Sequence, residues 1–181
     1  GSFNQIERLD LSLNPALISL LCNDNNLFAL NLGNGNNNNI TIFDATNNPD
    51  LSCIEVDNVA FANSAAGWQK DAIANYNLDC GTYVPDDNFE QVLIVLGIDS
   101  DNTLNNFVPT VDIINYNMPL DVSGLDISDL TGIEDFSSLQ NLDCSNNNLA
   151  ALDILANTAL VSLNCAFNQI ETLDLTTNTA L

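Results

Sequence analysis

The sequence repeats itself every 21 residues, and this period limits the folds that the chain can adopt. The repeat is clearest between two consecutive copies, in which every position of the first has an equivalent 21 residues later: Leu139, Leu142, Cys144, Asn147, Leu149, Leu152 and Ile154, then Leu160, Leu163, Cys165, Asn168, Ile170, Leu173 and Leu175. The same spacing recurs over 17–32, and a partial copy precedes it over 4–11. A unit this short cannot bury its own apolar face, so it must stack on its neighbours. The sequence therefore predicts a solenoid.

Each repeat contains a segment of the form LxLxC followed by an asparagine. The alternation predicts a short strand whose leucines point inward. The asparagine is placed to turn the chain inward, and its amide can bind backbone groups that the bend leaves unpaired. Stacked copies therefore predict asparagine ladders, in which Asn4 lies on Asn25 and Asn147 lies on Asn168.

The string LxxLxCSxNxLxxLDLxxNxxL resembles the leucine-rich-repeat family, and in particular its nested 21-residue subclass, which is common in secreted bacterial proteins. The resemblance implies a mainly β, right-handed leucine-rich-repeat solenoid with a second strand at LDL or LDI and no helix in the coils. The segment LDVSGLDISDLTGIEDFSSL is similar to the first coil of internalin-like arrays. The family likeness further implies a bacterial protein that is secreted or displayed on the cell surface.

The repeat is interrupted in the middle of the chain, which predicts two partial arrays. Residues 58–80 lack the period, and we expect them to cap the C-terminal end of a first array. Trp68 would plug this cap, and a short helix is expected over 68–76. The first array with its cap would then occupy residues 3–80.

A second array is expected to begin after a connector at 81–84. Asp87 and Glu90 have capping-box spacing, and apolar residues at helical intervals follow until Gly97. This pattern predicts a helix over 87–97 that covers the first coil of the second array. The helical N-terminal cap and the start of this array would occupy residues 85–181.

The charge of the chain is extreme, with 24 acidic residues, two basic residues and no histidine, for a net charge of −22. Binding to nucleic acid or to an anionic membrane surface requires clustered lysines and arginines, so both are excluded as partners. No apolar run approaches the roughly 20 residues that span a bilayer, so membrane insertion is not expected. With 46% hydrophobic residues, the chain can still form a core.

The five cysteines fall into two classes. Cys22, Cys144 and Cys165 occupy inward strand positions, where cysteine behaves as a small apolar residue, and we expect free thiols there. Cys53 and Cys80 flank the predicted cap, and a disulfide between them would fasten it to the last coil in an extracellular setting. A zinc site is not expected, because the sequence has no histidine and no CxxC motif.

Acidic residues in one loop offer a candidate cation site. Asp99 and Asp101, with asparagines nearby, supply alternating oxygen ligands as calcium loops do, although the glycine and distal glutamate of an EF-hand are absent. An ordinary polar turn is the alternative interpretation. No other cofactor is indicated.

The sequence offers little for catalysis, since it has no histidine base, no phosphate-binding glycine loop and no nucleophile elbow. We therefore predict a non-catalytic module with one of two roles. It is either a structural or adhesive stalk or spacer of a large surface protein, or a domain that binds a protein or glycan through its outward strand face. The outward residues in question are Asn141, Asp143, Ser162 and Asn164.

The segments 3–17 and 167–181 are near copies, FNQIERLDLSLNPAL and FNQIETLDLTTNTAL. Twelve of the fifteen positions are identical or chemically close, and the offset is 164 residues, the difference between 181 and 17. This similarity predicts a parent protein in which the unit is tandemly repeated. It also predicts that neighbouring copies associate end to end.

Overall fold

The computed structural model describes residues 3–181 and divides into two compact units, one ending at Cys80 and the other beginning at Gly81. The strands of the first unit are β1 (Arg8–Asp10), β2 (Ser19–Leu21), β3 (Ala29–Asn31), β4 (Ile42–Ala45), β5 (Cys53–Glu55), β6 (Trp68–Lys70) and β7 (Asn75–Asn77). The strands of the second unit are β8 (Thr82–Tyr83), β9 (Phe107–Val108), β10 (Leu120–Asp121), β11 (Asn141–Asp143) and β12 (Ser162–Asn164). The helices are α1 (Val59–Ser64), α2 (Asp87–Val95) and α3 (Thr110–Ile113), with 3-10 turns at Asn37–Asn39 and Ile133–Asp135.

The first unit is built from two parallel sheets, one formed by its odd-numbered strands and the other by its even-numbered strands. One sheet has the order β1-β3-β5-β7 and the other the order β2-β4-β6, so successive strands along the chain alternate between the two sheets. The inward leucines of the repeat are in register, as Leu9 pairs with Leu30 and Leu30 with Ile54. The predicted second strand at LDL is present in this unit as β1 at Arg8–Asp10, but residues 152–154 (LDI) and 173–175 (LDL) of the second unit form no strand, so the prediction was wrong there.

Residues 68–77 do not form the helix expected over 68–76. They form β6 and β7, which pair in parallel with β4 and β5 and so continue both sheets by one more coil. The helix of this region is α1, which begins after Asn58, whose side chain accepts a hydrogen bond from the Phe61 amide. The expectation was wrong because the loops around this coil depart from 21 residues and hide its place in the repeat.

Trp68 lies at the centre of an aromatic cluster in this last coil. Its ring centroid is 4.9 Å from that of Phe43 and 5.7 Å from those of Phe61 and Tyr76. Its indole Nε1 donates to the Ile40 carbonyl at 2.9 Å. The tryptophan therefore occupies an inward-facing position of strand β6 and is not part of a helix.

The second unit begins with elements that the repeat does not predict. Strands β8 and β9 form a short antiparallel pair, and α3 follows β9 directly. Strands β10, β11 and β12 then form a parallel sheet in which Leu120, Leu142 and Leu163 are in register. The 22-residue step from β10 to β11 and the 21-residue step to β12 match the repeat lengths in the sequence.

Helix α2 lies where a helix was expected, but its first turn is built differently. The N-cap is Asp86, which accepts from the amides of Asn88 and Phe89 at 3.0 and 3.2 Å. Asp87 and Glu90 do not form a capping box, because Glu90 is fully buried and binds another segment. The helix ends at Val95, and Gly97 follows in the left-handed conformation with φ of 68°.

Each unit has its own hydrophobic core, formed by the inward strand positions of its coils. Burial is complete in the inner coils, where Leu27, Leu32, Leu149 and Ile154 are inaccessible to solvent. The outermost coils are only half-buried at the equivalent positions, over residues 6–11 and 163–173. Among the helices within residues 3–181, none has the length and apolar character needed to cross a membrane.

Candidate functional site

The outward face of the β10-β11-β12 sheet carries the residues expected to meet a ligand. Asn141 and Asp143 are half-buried, and Ser162 and Asn164 are exposed. Asn141 lies beside Ser162 and Asp143 beside Asn164, since these residues are paired in the parallel ladder. The four side chains therefore form one small polar surface.

The Asp143 carboxylate and the Asn164 amide of this surface are already engaged within the protein. Asp143 Oδ1 accepts from the amide and hydroxyl of Ser145 at 3.0 and 2.7 Å, and Oδ2 accepts from Asn164 Nδ2 at 2.9 Å. The hydrogen bonds from Ser145 lower the pKa of Asp143, and this effect outweighs the opposing effect of burial. Asp143 therefore stays ionised and holds the turn that follows its strand.

The same turn recurs at several aspartates and asparagines of the coils. The side-chain oxygen accepts from the amide two residues later, at 2.7 to 3.2 Å, which closes an Asx turn. The residues that do so in the coils are Asp10, Asn31, Asp44, Asp121, Asp143, Asp153, Asn164 and Asp174. The recurring aspartates thus have a structural cause in the local turn.

Carboxylates and amides alternate along the outward edge of the four-stranded sheet. The register places Asp10 beside Asn31, Asn31 beside Glu55 and Glu55 beside Asn77. Burial and then the charge of Asp79 raise the pKa of Glu55. Since neighbouring strands lie about 4.8 Å apart, the alternation doubles the distance between like charges.

The asparagine ladder connects each coil to the next. Asn25 Oδ1 accepts from the amides of Asn4 and Ile6 at 3.1 and 3.2 Å, and its Nδ2 donates to the Cys22 carbonyl. Asn147 Oδ1 accepts from the amides of Leu125 and Ile127. Asn168 Oδ1 accepts from Leu149 in the preceding coil. Each amide oxygen therefore binds the preceding coil, and each nitrogen donates to a carbonyl of its own coil; those of Asn147 and Asn168 also donate to carbonyls of the preceding coil.

Sequence reasoning missed one member of this ladder and a second ladder on the opposite arc. Asn48 is fully buried, accepts from the Leu27 amide and donates to the Cys22 and Ala45 carbonyls. On the other arc, Asn157 donates to the Ile133 carbonyl and Asn178 to the Ile154 carbonyl. The signal was present, because Asn14, Asn157 and Asn178 each stand three residues after the LDL or LDI segment.

Two carboxylates replace the ladder amides in the last coil of the first unit. Asp71 accepts from the amides of Asn47 and Asn48 at 3.1 and 2.8 Å. Asp57 accepts from Gly35 at 2.9 Å and from Asn37 at 3.1 Å. We call these two residues the closing carboxylates, because each binds the coil before it through both of its oxygens.

A disulfide joins Cys53 and Cys80, as the sequence predicted, with the two Cα atoms 5.8 Å apart. The other cysteines are free thiols, of which Cys22 and Cys144 are buried and Cys165 is half-buried. Burial raises the pKa of Cys22 to about 11 and that of Cys144 to about 12. These thiols stay protonated at neutral pH and are poor nucleophiles.

Asp99 and Asp101, the expected calcium ligands, each accept hydrogen bonds within their own loop. Asp99 Oδ1 accepts from the Asp101 amide at 3.1 Å, and Asp101 binds the Thr103 amide and hydroxyl and the Asn105 amide group. In the part of the chain that the structure describes, no three histidine, cysteine, aspartate or glutamate residues group as metal ligands. The loop is hydrogen-bonded within itself, and the calcium site at Asp99 and Asp101 stays a prediction.

Asp99 is nevertheless in an unfavourable position. It is fully buried, and its Oδ2 has no hydrogen-bond partner among residues 3–181. Burial, followed by the charges of Asp101 and Glu90, raises its pKa. Glu90 differs from it, because Glu90 accepts from the amides of Asn105, Asn106 and Phe107.

Parts of the chain are similar to known proteins. Residues 137–177 match the family model of leucine-rich repeats, in two copies. Four chains of known structure match, and one is the functional domain of InlJ from Listeria monocytogenes, described as including a cysteine ladder. It is 31% identical over 54% of this chain, with a TM-score of 0.45, and the match spans 21% of the InlJ chain. No curated protein sequence matches. Residues 137–177 thus match two leucine-rich repeats, and stacked coils with asparagine ladders occur in both units.

Proposed function

We propose that this chain is a non-catalytic repeat module, a structural or adhesive stalk or spacer, in a large bacterial protein that is secreted or displayed on the cell surface. The observation that carries this proposal is the structural use of the polar strand residues. Their carboxylates and amides close Asx turns and connect coils, as at Asp143 and Asn147. Groups that could recognise a ligand therefore hold the fold instead.

The proposed architecture is a right-handed solenoid of two partial arrays, residues 3–80 and 85–181. Right-handedness is supported by the strong preference for right-handed connections between parallel strands of one sheet. Residues 58–80 would form the closing cap of the first array, since β6 and β7 are the last strands of their sheets. Helix α2 would cover the first coil of the second array, because Asp86 binds Ser128 and Asp129 of that coil.

An extracellular location is supported by the disulfide between Cys53 and Cys80, which persists in oxidising compartments. The absence of catalysis is supported by the buried, protonated thiols and by the lack of histidine. The net charge of −22 is consistent with an exposed, soluble surface and with no nucleic-acid partner. No observation favours a particular cofactor.

Single-molecule force spectroscopy tests the stalk role. The chain is pulled between handles at its two ends, under oxidising and then reducing conditions. We expect cooperative unfolding of both units, and a final extended length that is about 90 Å longer after reduction, because the disulfide shields a loop of 27 residues. Gradual extension at negligible force would contradict a mechanical role as a stalk.

The alternative is that the outward face of β11 and β12 binds a protein or glycan. Ser162 and Asn164 are exposed there, which favours this reading, whereas the absence of aromatic and arginine residues at these positions does not. Saturable binding to a glycan array or to extracellular-matrix proteins that is lost in Ser162→Arg would establish the alternative. Ser52→Arg, an exposed position in the first unit, is the control.

A further inference from the structure

The outward side of the β2-β4-β6 sheet carries a small surface that mixes apolar and polar side chains. Outward positions alternate with buried ones along β4, so side chains two residues apart point the same way. The parallel register then places the outward residues of the two neighbouring strands beside those of β4. We call this surface the β4 face, and it consists of Ser19, Leu21, Ile42, Asp44 and Gln69.

The β4 face opens to the side of the stack of coils. Side chains on this face stand roughly perpendicular to the sheet, whereas neighbouring coils are added within the plane of the sheet. Its exposure therefore does not depend on what precedes β2 or follows β6. Strand β4 itself has a neighbour on both edges, β2 on one and β6 on the other.

Ile42 is the apolar centre of the β4 face. It is 52% exposed, and Leu21 on the adjacent strand is 48% exposed. Toward β6, the register continues from Trp68 back to Gly67, which therefore lies beside Ile42. This position has to be glycine, because a Cβ atom on Gly67 would lie 2.3 Å from the Thr41 carbonyl oxygen. Ile42 thus has no adjacent side chain on this edge.

Asp44 has an equivalent in the second unit, and the two carboxylates form the same turn. Asp44 Oδ1 accepts from the amide and the hydroxyl of Thr46 at 3.0 and 2.7 Å. Asp143 Oδ1 accepts from the amide and the hydroxyl of Ser145 at the same two distances. One oxygen of each carboxylate is therefore used by the local turn.

The second oxygens of these two carboxylates differ. Asp143 Oδ2 accepts from Asn164 Nδ2 on the next strand at 2.9 Å. The residue in that place beside Asp44 is Gln69, whose side chain makes no hydrogen bond within residues 3–181. Asp44 Oδ2 likewise has no hydrogen-bond partner among the residues that the structure describes. The β4 face therefore presents a free carboxylate oxygen and a free amide next to an exposed isoleucine.

We infer that the β4 face binds an arginine side chain of a basic protein segment. The methylene stem of an arginine can pack along Ile42 while its guanidinium reaches the polar end of the face. There its planar fork of N–H donors matches the free Asp44 oxygen and the Gln69 side-chain carbonyl, which stand on neighbouring strands about 4.8 Å apart. Lysine has a compact ammonium without this fork and matches the two acceptors less well.

The charge of the chain also favours a basic partner. With 24 acidic and two basic residues, the net charge of −22 attracts cationic segments and repels acidic ones. Lys70, the basic residue of β6, already donates to the carbonyls of Asp71 and Ala74 and does not reach Asp44. The aromatic rings of these strands, Phe43 and Trp68, pack against each other on the inward side, so the face offers no ring on which a sugar could stack.

This inference deepens the alternative binding role and places the ligand on the first unit instead of on β11 and β12. It does not rest on the stalk role. The force measurement and the Ser162→Arg experiment address other properties of the chain, so each of them can fail without affecting the β4 face.

Fluorescence anisotropy with a labelled peptide in which arginine alternates with threonine tests the inference. We expect saturable binding at low ionic strength that weakens as salt is added. Asp44→Asn keeps the Oδ1 acceptor of the turn and removes the charge, so the dissociation constant should rise at least about tenfold. Ile42→Thr reduces the apolar contact and should raise the dissociation constant about threefold. A peptide with lysine in place of arginine should bind at least about threefold more weakly.

Asp143→Asn is the matched control, because it makes the same change in charge at the equivalent turn, where both carboxylate oxygens are already bound. Its dissociation constant should stay within about twofold of that of the unsubstituted chain. Equal losses in Asp44→Asn and Asp143→Asn would indicate unspecific attraction by the net charge and overturn the inference. No peptide binding to the folded chain at low salt would overturn it too, as would binding of a neutral glycan that is lost in Ile42→Thr. Circular dichroism melting checks that each variant is folded.

Discussion

The two proposed caps solve the same problem by different means. At the closing cap of the first unit, a disulfide and the Trp68 cluster hold the last coil. The closing carboxylates Asp57 and Asp71 accept hydrogen bonds from backbone amides of the preceding coil. At the opening of the second unit, Asp86 and Glu90 hold a helix and a loop against the first coil without a covalent bond. Carboxylates bind backbone amides in both, but only one cap is also cross-linked.

This difference shows what an end of a repeat stack requires. A coil without a neighbour leaves amides that no ladder asparagine reaches, and an ionised carboxylate accepts such bonds more strongly than an amide does. A covalent link adds stability by restricting the unfolded chain, whereas the carboxylates add it in the folded state. The two caps should therefore respond differently to reduction and to pH.

The largest effect is expected from removing the disulfide. Cys53→Ser with Cys80→Ser should lower the free energy of unfolding of the first unit by about 3 to 4 kcal/mol, given the sequence separation of 27 residues. Hydrogen exchange monitored by mass spectrometry should show faster exchange in residues 53–80 and unchanged exchange in 107–164. Cys165→Ser, which removes a free thiol, is the control. Unchanged exchange in residues 53–80 would show that the aromatic cluster suffices.

The next largest effect is expected at Asp86, and here the loss of unfolding free energy should depend on pH. Asp86→Ala removes the N-cap of α2 and the bonds from Ser128 and Asp129, so the second unit should lose about 2 to 3 kcal/mol. Asp87→Ala, next in sequence, is the control and should cost less than about 1 kcal/mol through the helix dipole.

The pH dependence at Asp86 follows from its pKa. Burial opposes ionisation, but the hydrogen bonds from Ser128, Phe89 and Asp129 outweigh it and lower the pKa below 3.8. A lowered pKa means that the stabilisation is fully present above the ordinary value and is lost as the pH falls through the folded value. The difference in unfolding free energy between Asp86→Ala and the original chain should therefore shrink below pH 4. A constant difference down to pH 2 would exclude this mechanism.

The smallest effect is expected at Asp99, a buried carboxylate whose Oδ2 accepts no hydrogen bond from residues 3–181. Asp99→Asn keeps the Oδ1 acceptor and removes the charge, so the second unit should gain about 1 kcal/mol at neutral pH. The raised pKa means that the ionised form destabilises the fold as the pH rises through the folded value, so this gain should vanish in acid.

Asp101→Asn should have the opposite sign, because Asp101 is held ionised by Thr103 and Asn105. Chemical denaturation of both variants at two pH values gives the comparison. Destabilisation by Asp99→Asn at neutral pH would mean that this carboxylate binds something after all, and a rise in melting temperature with calcium would then identify the ligand.

The regular coils could be predicted from the sequence because one spacing sets both the strand and its ladder. Leu142 and Leu163, or Asn147 and Asn168, are found by adding 21, and the structure pairs those leucines. The last coil of the first unit could not be found in this way. Phe43 pairs with Trp68 at a separation of 25, and Ile54 pairs with Tyr76 at a separation of 22. Variable loops preserve the stack while removing the period.

Long-range side-chain contacts were the other limit. Nothing in the local sequence distinguishes Glu90, which binds amides 15 to 17 residues away, from a capping-box glutamate. Likewise, Asp99 and Asp101 have the spacing of calcium ligands, but the donors of their own loop bind them. These roles depend on which backbone amides the fold leaves without partners.

The bond from Gly35 N to Asp57 Oδ1 also affects how this asparagine-rich chain ages chemically. Asn34–Gly35 is the single Asn-Gly step among its 31 asparagines, and such steps deamidate when the glycine nitrogen attacks the preceding side chain to form a succinimide. That nitrogen is bound to Asp57 at 2.9 Å, and the Asn34 amide is held by the Asn14 carbonyl and the Asn36 amide. Cyclisation must therefore wait for the last coil to open. The rate of deamidation is therefore set by how often the hydrogen bond from Gly35 N to Asp57 Oδ1 breaks.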